Sequence, residues 1–247
     1  WLTRYADLFA LSETEGDKEK PVLRKHHFNL VKELEDGNLA KVHISEKLRS
    51  LGSFSGIKNY SLPEGFVGEL RPYQKAGYNW LRFLNEFKLG GCLADDMGLG
   101  KTVQTLAMLQ AEKEAGHGTT LLIMPTSLVY NWEMEASKFA PHLKVLNYTG
   151  TLRNKDVKRF EKYDIVLTSY GITRLDIELL KNFYFNYIIL DESQVIKNPS
   201  SNIAKAVREL KSRYRLVLTG TPLENTTMDL WSQVTFINPG MLGSQTY

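Results

Sequence analysis

Lys101 and Thr102 close a glycine-rich run, Leu93-Ala-Asp-Asp-Met-Gly-Leu-Gly-Lys-Thr102, and this is where the chain can handle phosphate. Before it, Leu89-Gly-Gly-Cys-Leu-Ala94 reads as a short buried strand, and after it Lys101 to Ala115 carries the apolar spacing of an amphipathic helix. A tight glycine turn between strand and helix aims several backbone N–H groups inward. The helix adds the positive end of its dipole, so an anionic triphosphate fits there. Lys101 would reach the β and γ phosphates, and Thr102 would offer its hydroxyl to Mg²⁺. The general pattern G-x-x-x-x-G-K-[ST] asks for glycine at position 95, where this chain has Asp95. On these residues alone, an ordinary glycine turn before a helix is the competing reading.

Far downstream, Asp191-Glu192 directly follows the apolar strand Phe185 to Leu190 and supplies what a phosphate loop lacks. In phosphoryl transfer the protein mainly positions groups and stabilises charge. Asp191 would hold the metal ion through a water, opposite Thr102. Glu192 would orient and deprotonate the attacking water, a contribution on the order of 10²- to 10⁴-fold. A third cluster, Leu218-Thr-Gly-Thr-Pro-Leu-Glu-Asn225, follows another strand; Thr219 and Thr221 can hydrogen-bond the Asp191-Glu192 loop and report the state of the γ phosphate. Gln74, in Leu70-Arg-Pro-Tyr-Gln74, can read an adenine edge because a carboxamide donates and accepts at once. Taken singly, these residues also describe an acidic turn, a capped turn and a polar surface side chain.

The elements that must position them alternate. A helix is expected from the Gln74 region to about Lys88, then the strand before the phosphate loop and the helix from Lys101. Strand signals follow at Thr120–Met124, Lys144–Asn147, Asp164–Thr168, Tyr187–Leu190 and Arg215–Leu218, each ended by a polar cluster, and a helix is expected near Met228 to Phe236. Pro125-Thr-Ser127 would start a helix carrying Asn131 and Trp132. Continuous apolar strands alternating with helices predict an α/β fold with a mainly parallel sheet covered on both faces. In such sheets ligands collect at the carboxyl ends of the strands, which is where every polar cluster falls.

The ordered set Leu70-Arg-Pro-Tyr-Gln74, Asp95 to Thr102, Met124-Pro-Thr-Ser-Leu128 with Asn131-Trp132, Leu167-Thr-Ser-Tyr170, Asp191-Glu-Ser-Gln194 and Leu218-Thr-Gly-Thr-Pro222 closely resembles the first RecA-like lobe of Swi/Snf-type ATPases, within helicase superfamily two. The resemblance covers about residues 66 to 247, and Asp95 is what that family usually carries. Its Asp191-Glu-Ser-Gln194 has the Asp-Glu-x-Gln form of a box that many relatives carry as Asp-Glu-x-His or Asp-Glu-x-Gln, with Ser193 at the variable place; the metal and base positions are kept, and the fourth residue, Gln194, is where coupling is expected. The resemblance implies nucleotide contacts at Arg71, Gln74, Asp96, Met97, Gly98, Leu99, Gly100, Lys101 and Thr102, catalytic roles for Lys101, Asp191 and Glu192, and a Mg²⁺ ion at Thr102 and Asp191. It implies coupling through Gln194, Thr219, Gly220 and Thr221. It also implies contact with the backbone of one DNA strand at Pro125, Thr126, Ser127, Thr168 and Ser169, with Asn198 in the loop after the carboxylates. A basic stretch, Lys155, Lys158, Arg159 and Lys162, reads either as a solvated face or as a further DNA contact.

The resemblance further implies a motor that hydrolyses ATP to move along double-stranded DNA, remodelling protein–DNA complexes, with a second RecA-like lobe supplying arginines across the cleft. The protein being moved is unknown. A strand-separating helicase and a non-catalytic nucleotide- or DNA-binding module are the rival readings. The 247 residues can bury a substantial core. With 31 basic and 28 acidic residues, composition permits a nucleic-acid partner without demanding one. Cys92, the single cysteine, is expected in core packing and rules out a disulfide framework, so a reducing, intracellular compartment is expected: cytoplasmic or nucleoid-associated in a bacterium, towards which the compact upstream helices incline, nuclear in a eukaryote. No apolar stretch reaches the ~18 residues that cross a bilayer, so no membrane partner is expected. Residues 1–62 read as a small, mostly helical segment, the end of a preceding domain or a brace, with 63–247 as the lobe; His26, His27 and His43 lack metal-ligand spacing. Trp1 in place of methionine points to an excised piece of a longer protein.

Overall fold

In the computed structural model, residues 56–221 and 227–239 are described. The expected helices and loops of residues 1–55, with His26, His27 and His43, lie outside the described residues, as do positions 222–225 of the third cluster.

Helix α1 (Pro72–Phe87) leads into strand β1 (Gly91–Leu93), and the glycine loop leads into α2 (Lys101–Glu114). Then come β2 (Thr120–Met124), a 3₁₀ turn (Thr126–Leu128), α3 (Val129–Phe139), β3 (Val145–Asn147), a 3₁₀ turn (Val157–Lys162) and β4 (Ile165–Ser169). Two short helices, α4 (Tyr170–Leu175) and α5 (Ile177–Leu180), precede β5 (Tyr184–Asp191) and a 3₁₀ turn (Ser193–Ile196). Helix α6 (Asn202–Glu209), β6 (Lys211–Leu218) and α7 (Thr227–Ile237) complete the order.

The strands form one six-stranded sheet in the order β1-β6-β5-β2-β4-β3, with every pairing parallel. Strands β2 and β4 are buried along their whole length, as continuous apolar runs must be when helices cover both faces. Alternate residues point to opposite faces. Leu122, Met124, Leu167, Ile189, Leu216 and Leu218 pack beneath α1, α2 and α3, while Leu121, Ile123, Val166, Ile188, Leu190 and Val217 pack beneath α4, α5, α6 and α7.

Helix α2 departs from expectation. It is not amphipathic: every residue from Val103 to Gln110 is buried, because α1 and α3 cover the side that would otherwise face solvent. Gly77 on α1 allows that approach, since a Cβ there would lie 1.8 Å from Gln104 Oε1. The stretch before Pro63 also leans on α1: the Tyr60 N–H donates to Asn79 Oδ1 (3.1 Å) and its hydroxyl to Glu86 Oε2 (2.5 Å). Among the described residues no helix is long and apolar enough to cross a membrane.

Register decides what the sheet brings together. Leu93, the last residue of β1, and Asp191, the last of β5, both align with Leu218, the last of β6. At the usual spacing between strands, the two ends stand about 10 Å apart on one edge of the sheet. Met124 aligns with Ser169 in the same way, so the loops after β2 and β4 are neighbours.

Candidate nucleotide site

The phosphate loop turns on two glycines in the left-handed region, Gly98 at φ 81° and Gly100 at φ 82°. A Cβ on Gly100 would also lie 2.5 Å from Gln74 Nε2. Gln74 is pinned beside the loop: its Nε2 donates to the Leu99 carbonyl at 3.1 Å and its Oε1 accepts from the Arg71 N–H at 3.0 Å. The Lys101 ammonium donates to the carbonyls of Asp95 (2.7 Å) and Asp96 (3.1 Å), which holds its charge against the loop. Asp96, Met97, Gly98 and Leu99 are exposed, Arg71 is exposed at the start of α1, and Thr102 is half-buried at the start of α2.

Asp95, where the general pattern has glycine, has a partner. Its Oδ2 accepts from Gln104 Nε2 at 2.9 Å, so the first residue of the loop is tied to a fully buried side chain one turn into α2. Nothing in the spacing of the sequence marked Gln104; the signal available was a carboxamide among the apolar residues of the helix's first turns.

Asp191 is buried and held from three sides. The Trp132 indole N–H donates to Oδ2 at 2.8 Å, the Glu192 N–H donates to Oδ1 at 2.9 Å, and the Tyr170 hydroxyl donates to its main-chain carbonyl at 2.8 Å. Burial pushes the Asp191 carboxyl above its ordinary range, and the Glu192 charge adds to the rise; the Trp132 and Glu192 donors and the positive charge of Lys101 pull the other way without cancelling it. That Lys101 acts on it is the electrostatic counterpart of the shared register with Leu218. Burial likewise drives the Tyr170 phenol well above its usual value, so it remains a donor. Trp132 and Tyr170 were quoted in the sequence motifs without a role. A large aromatic that buries a polar atom must find it a partner, and that was the signal.

Glu192 adopts φ 51°, an uncommon left-handed backbone for a residue with a side chain. Its carboxylate accepts from Gln194 Nε2 at 2.6 Å, and Gln194 Oε1 accepts from the Thr219 hydroxyl at 3.3 Å. Thr219 Oγ1 in turn accepts from the Thr221 N–H at 3.1 Å, and the Thr219 N–H donates to the Leu93 carbonyl at 3.2 Å. Gly220 sits where a Cβ would lie 3.0 Å from Met97 Cγ, so the third cluster touches the phosphate loop. The turn after Glu192 is fastened to α7: the Ser193 hydroxyl donates to Gln233 Oε1 at 3.1 Å and the Ser232 hydroxyl to the Ile196 carbonyl at 2.6 Å.

The residues expected to meet DNA divide. Thr126 and Ser127 are exposed at the carboxyl end of β2, and Pro125 is half-buried. Thr168 is a correction: it is wholly buried and its hydroxyl donates to the Tyr148 carbonyl at 2.9 Å, so its side chain serves the fold. Ser169 is also buried, its oxygen accepting from the Ile172 N–H at 3.3 Å to cap α4, and it is corrected in the same sense. Asn198 is exposed, its Oδ1 accepting from the Ser200 N–H at 2.9 Å. In the basic stretch Lys155, Lys158 and Lys162 are exposed around the buried Phe160. Cys92 is only half-buried; burial pushes its thiol up to about 11.

A family model of the SNF2-related domain matches residues 73–247, taking in the phosphate loop, the acidic pair and the third cluster. The chain belongs to the SNF2-related domain family. Two solved structures resemble this SNF2-related domain. The Sulfolobus solfataricus SWI2/SNF2 ATPase core in complex with dsDNA is 48% identical at a TM-score of 0.69, covering 76% of this chain and 39% of that one. The Sulfolobus solfataricus SWI2/SNF2 ATPase core domain is 44% identical at a TM-score of 0.68, covering 82% and 40%. Among curated relatives, YwqA of Bacillus subtilis is 45% identical over 204 residues, which are 81% of this chain and 22% of that protein. The TATA-binding protein-associated factor MOT1 of Saccharomyces cerevisiae is 41% identical over 206 residues, 77% of this chain and 11% of that protein. The SNF2-related domain thus spans a minor part of the relatives it matches, and its mainly parallel six-stranded sheet with helices is the fold of the SWI2/SNF2 RecA-like lobe.

Proposed function

We propose that this SNF2-related domain is the ATP-binding lobe of a DNA-dependent ATPase that moves along double-stranded DNA and remodels protein–DNA complexes. The observation that carries the proposal is the shared alignment of Leu93 and Asp191 with Leu218, which sets the Lys101 loop and the Asp191-Glu192 pair on one edge of the sheet. The donor set fits ATP with Mg²⁺: a loop whose two left-handed glycines keep its backbone open, a cationic Lys101, the Thr102 hydroxyl and a buried carboxylate. When bound, the ion supplies charge neutralisation on the phosphates.

The chain's own residues do the remainder. Loop amides and Lys101 would orient the phosphates, Gln74 and Arg71 would flank the base, and Asp191 would help to hold the ion. Glu192, its carboxylate steadied by Gln194, orients the attacking water and accepts its proton. Thr219 passes the position of Gln194 to the start of the phosphate loop through the Leu93 carbonyl. A second RecA-like lobe of the longer protein would bring arginines across the cleft, worth on the order of 10³- to 10⁵-fold in comparable enzymes, so this segment alone is expected to turn over poorly. Thr126 and Ser127 offer exposed hydroxyls and N–H groups to a phosphate backbone, contacts that would be independent of sequence and sensitive to salt. Such a DNA partner sets its work in the nucleoid or nucleus. The relative solved in complex with dsDNA supports this reading.

The test uses the full-length protein. Duplex DNA should stimulate ATP turnover, and Glu192→Gln should lower kcat by about 10²-fold or more with nucleotide binding retained. Unchanged turnover in Glu192→Gln would leave a binding module instead. Triplex displacement on intact duplex without unwinding of a fork separates a translocase from a strand-separating helicase.

A further inference from the structure

We infer that Trp132 and Tyr170 carry the effect of bound DNA to the nucleotide site, by gripping Asp191 from the helices that follow the neighbouring ends of β2 and β4. The inference rests on the DNA-dependent ATPase reading and adds positioning residues that act through Asp191.

The geometry is specific. Trp132 lies on the first turn of α3, five residues beyond the exposed Ser127, and is 1% exposed, with its indole N–H on Asp191 Oδ2 at 2.8 Å. Tyr170 follows Ser169 at the end of β4, also buried, with its hydroxyl on the Asp191 carbonyl at 2.8 Å. Because Met124 and Ser169 align across β2 and β4, these two residues sit on helices that start beside neighbouring strand ends. A ligand that pulls on the backbone at Thr126 and Ser127 moves the start of α3, and a rigid indole moves with it.

The consequence falls on one carboxylate. Besides Trp132, the side chain of Asp191 accepts from the Glu192 N–H on its other oxygen. Two donors from different elements therefore set the carboxylate plane and the direction of its free lone pairs. The Tyr170 bond fixes the main chain at the same residue, one step before the left-handed Glu192. A shift at either donor turns both the oxygens offered to a metal ion and the backbone that aims Glu192. Ordinary core packing would account for the burial of two aromatics, but not for both polar tips ending on the same residue of another strand.

The test compares full-length wild type with Trp132→Phe, Tyr170→Phe and a protein carrying 3-benzothienylalanine at position 132, which keeps the indole outline and replaces N–H with sulfur. ATP turnover is measured with and without duplex DNA, together with KM for ATP and DNA affinity. The ratio of stimulated to unstimulated kcat should fall by at least about fivefold in the two variants at position 132 and in Tyr170→Phe, with DNA affinity and KM within about twofold of wild type. An unchanged ratio in the benzothienylalanine protein overturns the inference, and so does an equal loss of kcat with and without DNA, which would make the bonds local supports of catalysis. If Trp132→Phe does not fold, Tyr170→Phe, which loses one oxygen, carries the same expectation and the same refutation. Failure of DNA to stimulate the wild type would instead remove the functional reading itself.

Discussion

The main-chain N–H of Thr219 donates to the carbonyl of Leu93 at 3.2 Å, joining the first residue beyond β6 to the last residue of β1. The same threonine offers its hydroxyl to Gln194, and Gln194 holds the Glu192 carboxylate. A wholly buried residue thus touches both halves of the candidate nucleotide site, the glycine loop and the turn that carries Glu192.

Thr219→Val keeps the shape and removes that hydroxyl. Loss of one neutral, half-buried hydrogen bond costs roughly 0.5–1.5 kcal/mol. Here the loss should appear in the alignment of Glu192, so kcat in the full-length protein is expected to fall by about tenfold while KM for ATP stays within about twofold. Steady-state kinetics check it, and a rise in KM at constant kcat would assign Thr219 to binding instead.

Gly77→Ala tests the seat of the phosphate loop from behind. The added methyl would lie 1.8 Å from Gln104 Oε1 and would drive that carboxamide off Asp95. Overpacking of this kind costs typically ~1–3 kcal/mol. Nucleotide affinity, read by fluorescence titration of an ATP analogue, should weaken along with the melting temperature. Gln104→Leu, which removes the donor without forcing α1 and α2 apart, should weaken nucleotide affinity with a smaller change in melting temperature.

Arg153→Met probes the buried pair behind β3. Arg153 Nε donates to Asp176 Oδ2 at 2.6 Å, the Tyr148 hydroxyl donates to the same oxygen at 2.8 Å, and the Asp176 side chain is 3% exposed. Burial alone would raise the Asp176 carboxyl; the bonds from Arg153 and Tyr148 outweigh it and hold the carboxyl below its ordinary value. A depressed folded value means that the pair stabilises the fold above the unfolded carboxyl pKa of about 3.9, and that this is lost as pH falls through the lower folded value. Removing one partner of a buried pair costs roughly 3–5 kcal/mol. Urea melts at neutral pH should show that loss, and the difference between variant and wild type should narrow in acid.

The places of the candidate site residues were readable as a string. Asp191 and Glu192 stand where an apolar run gives way to polar residues, a break that marks a strand's carboxyl end because a buried strand tolerates no unpaired polar side chain, and Lys101 and Thr102 open the helix after the glycine turn that follows such an end. Five of the expected strands and the helices from Pro72, Lys101 and Thr227 stand within a few residues of their predicted bounds, since hydrophobic runs and glycine turns are local signals. Helix α2 misled because its periodicity could not reveal that α1 and α3 would cover its outer side.

What the string settled by itself was which residues end each strand; which strands lie side by side was decided by the folded chain. Nothing local to Leu93 or Asp191 says that both will flank Leu218, nor that Trp132, fifty-nine positions away, will reach a carboxylate on β5. Those neighbours are chosen by burying two faces of one sheet at once, a condition on the whole set of strands and helices. The same burial turned Thr168 and Ser169 inward while leaving Thr126 and Ser127 in solvent, so chemically similar residues at adjacent strand ends came to serve the core and the surface respectively.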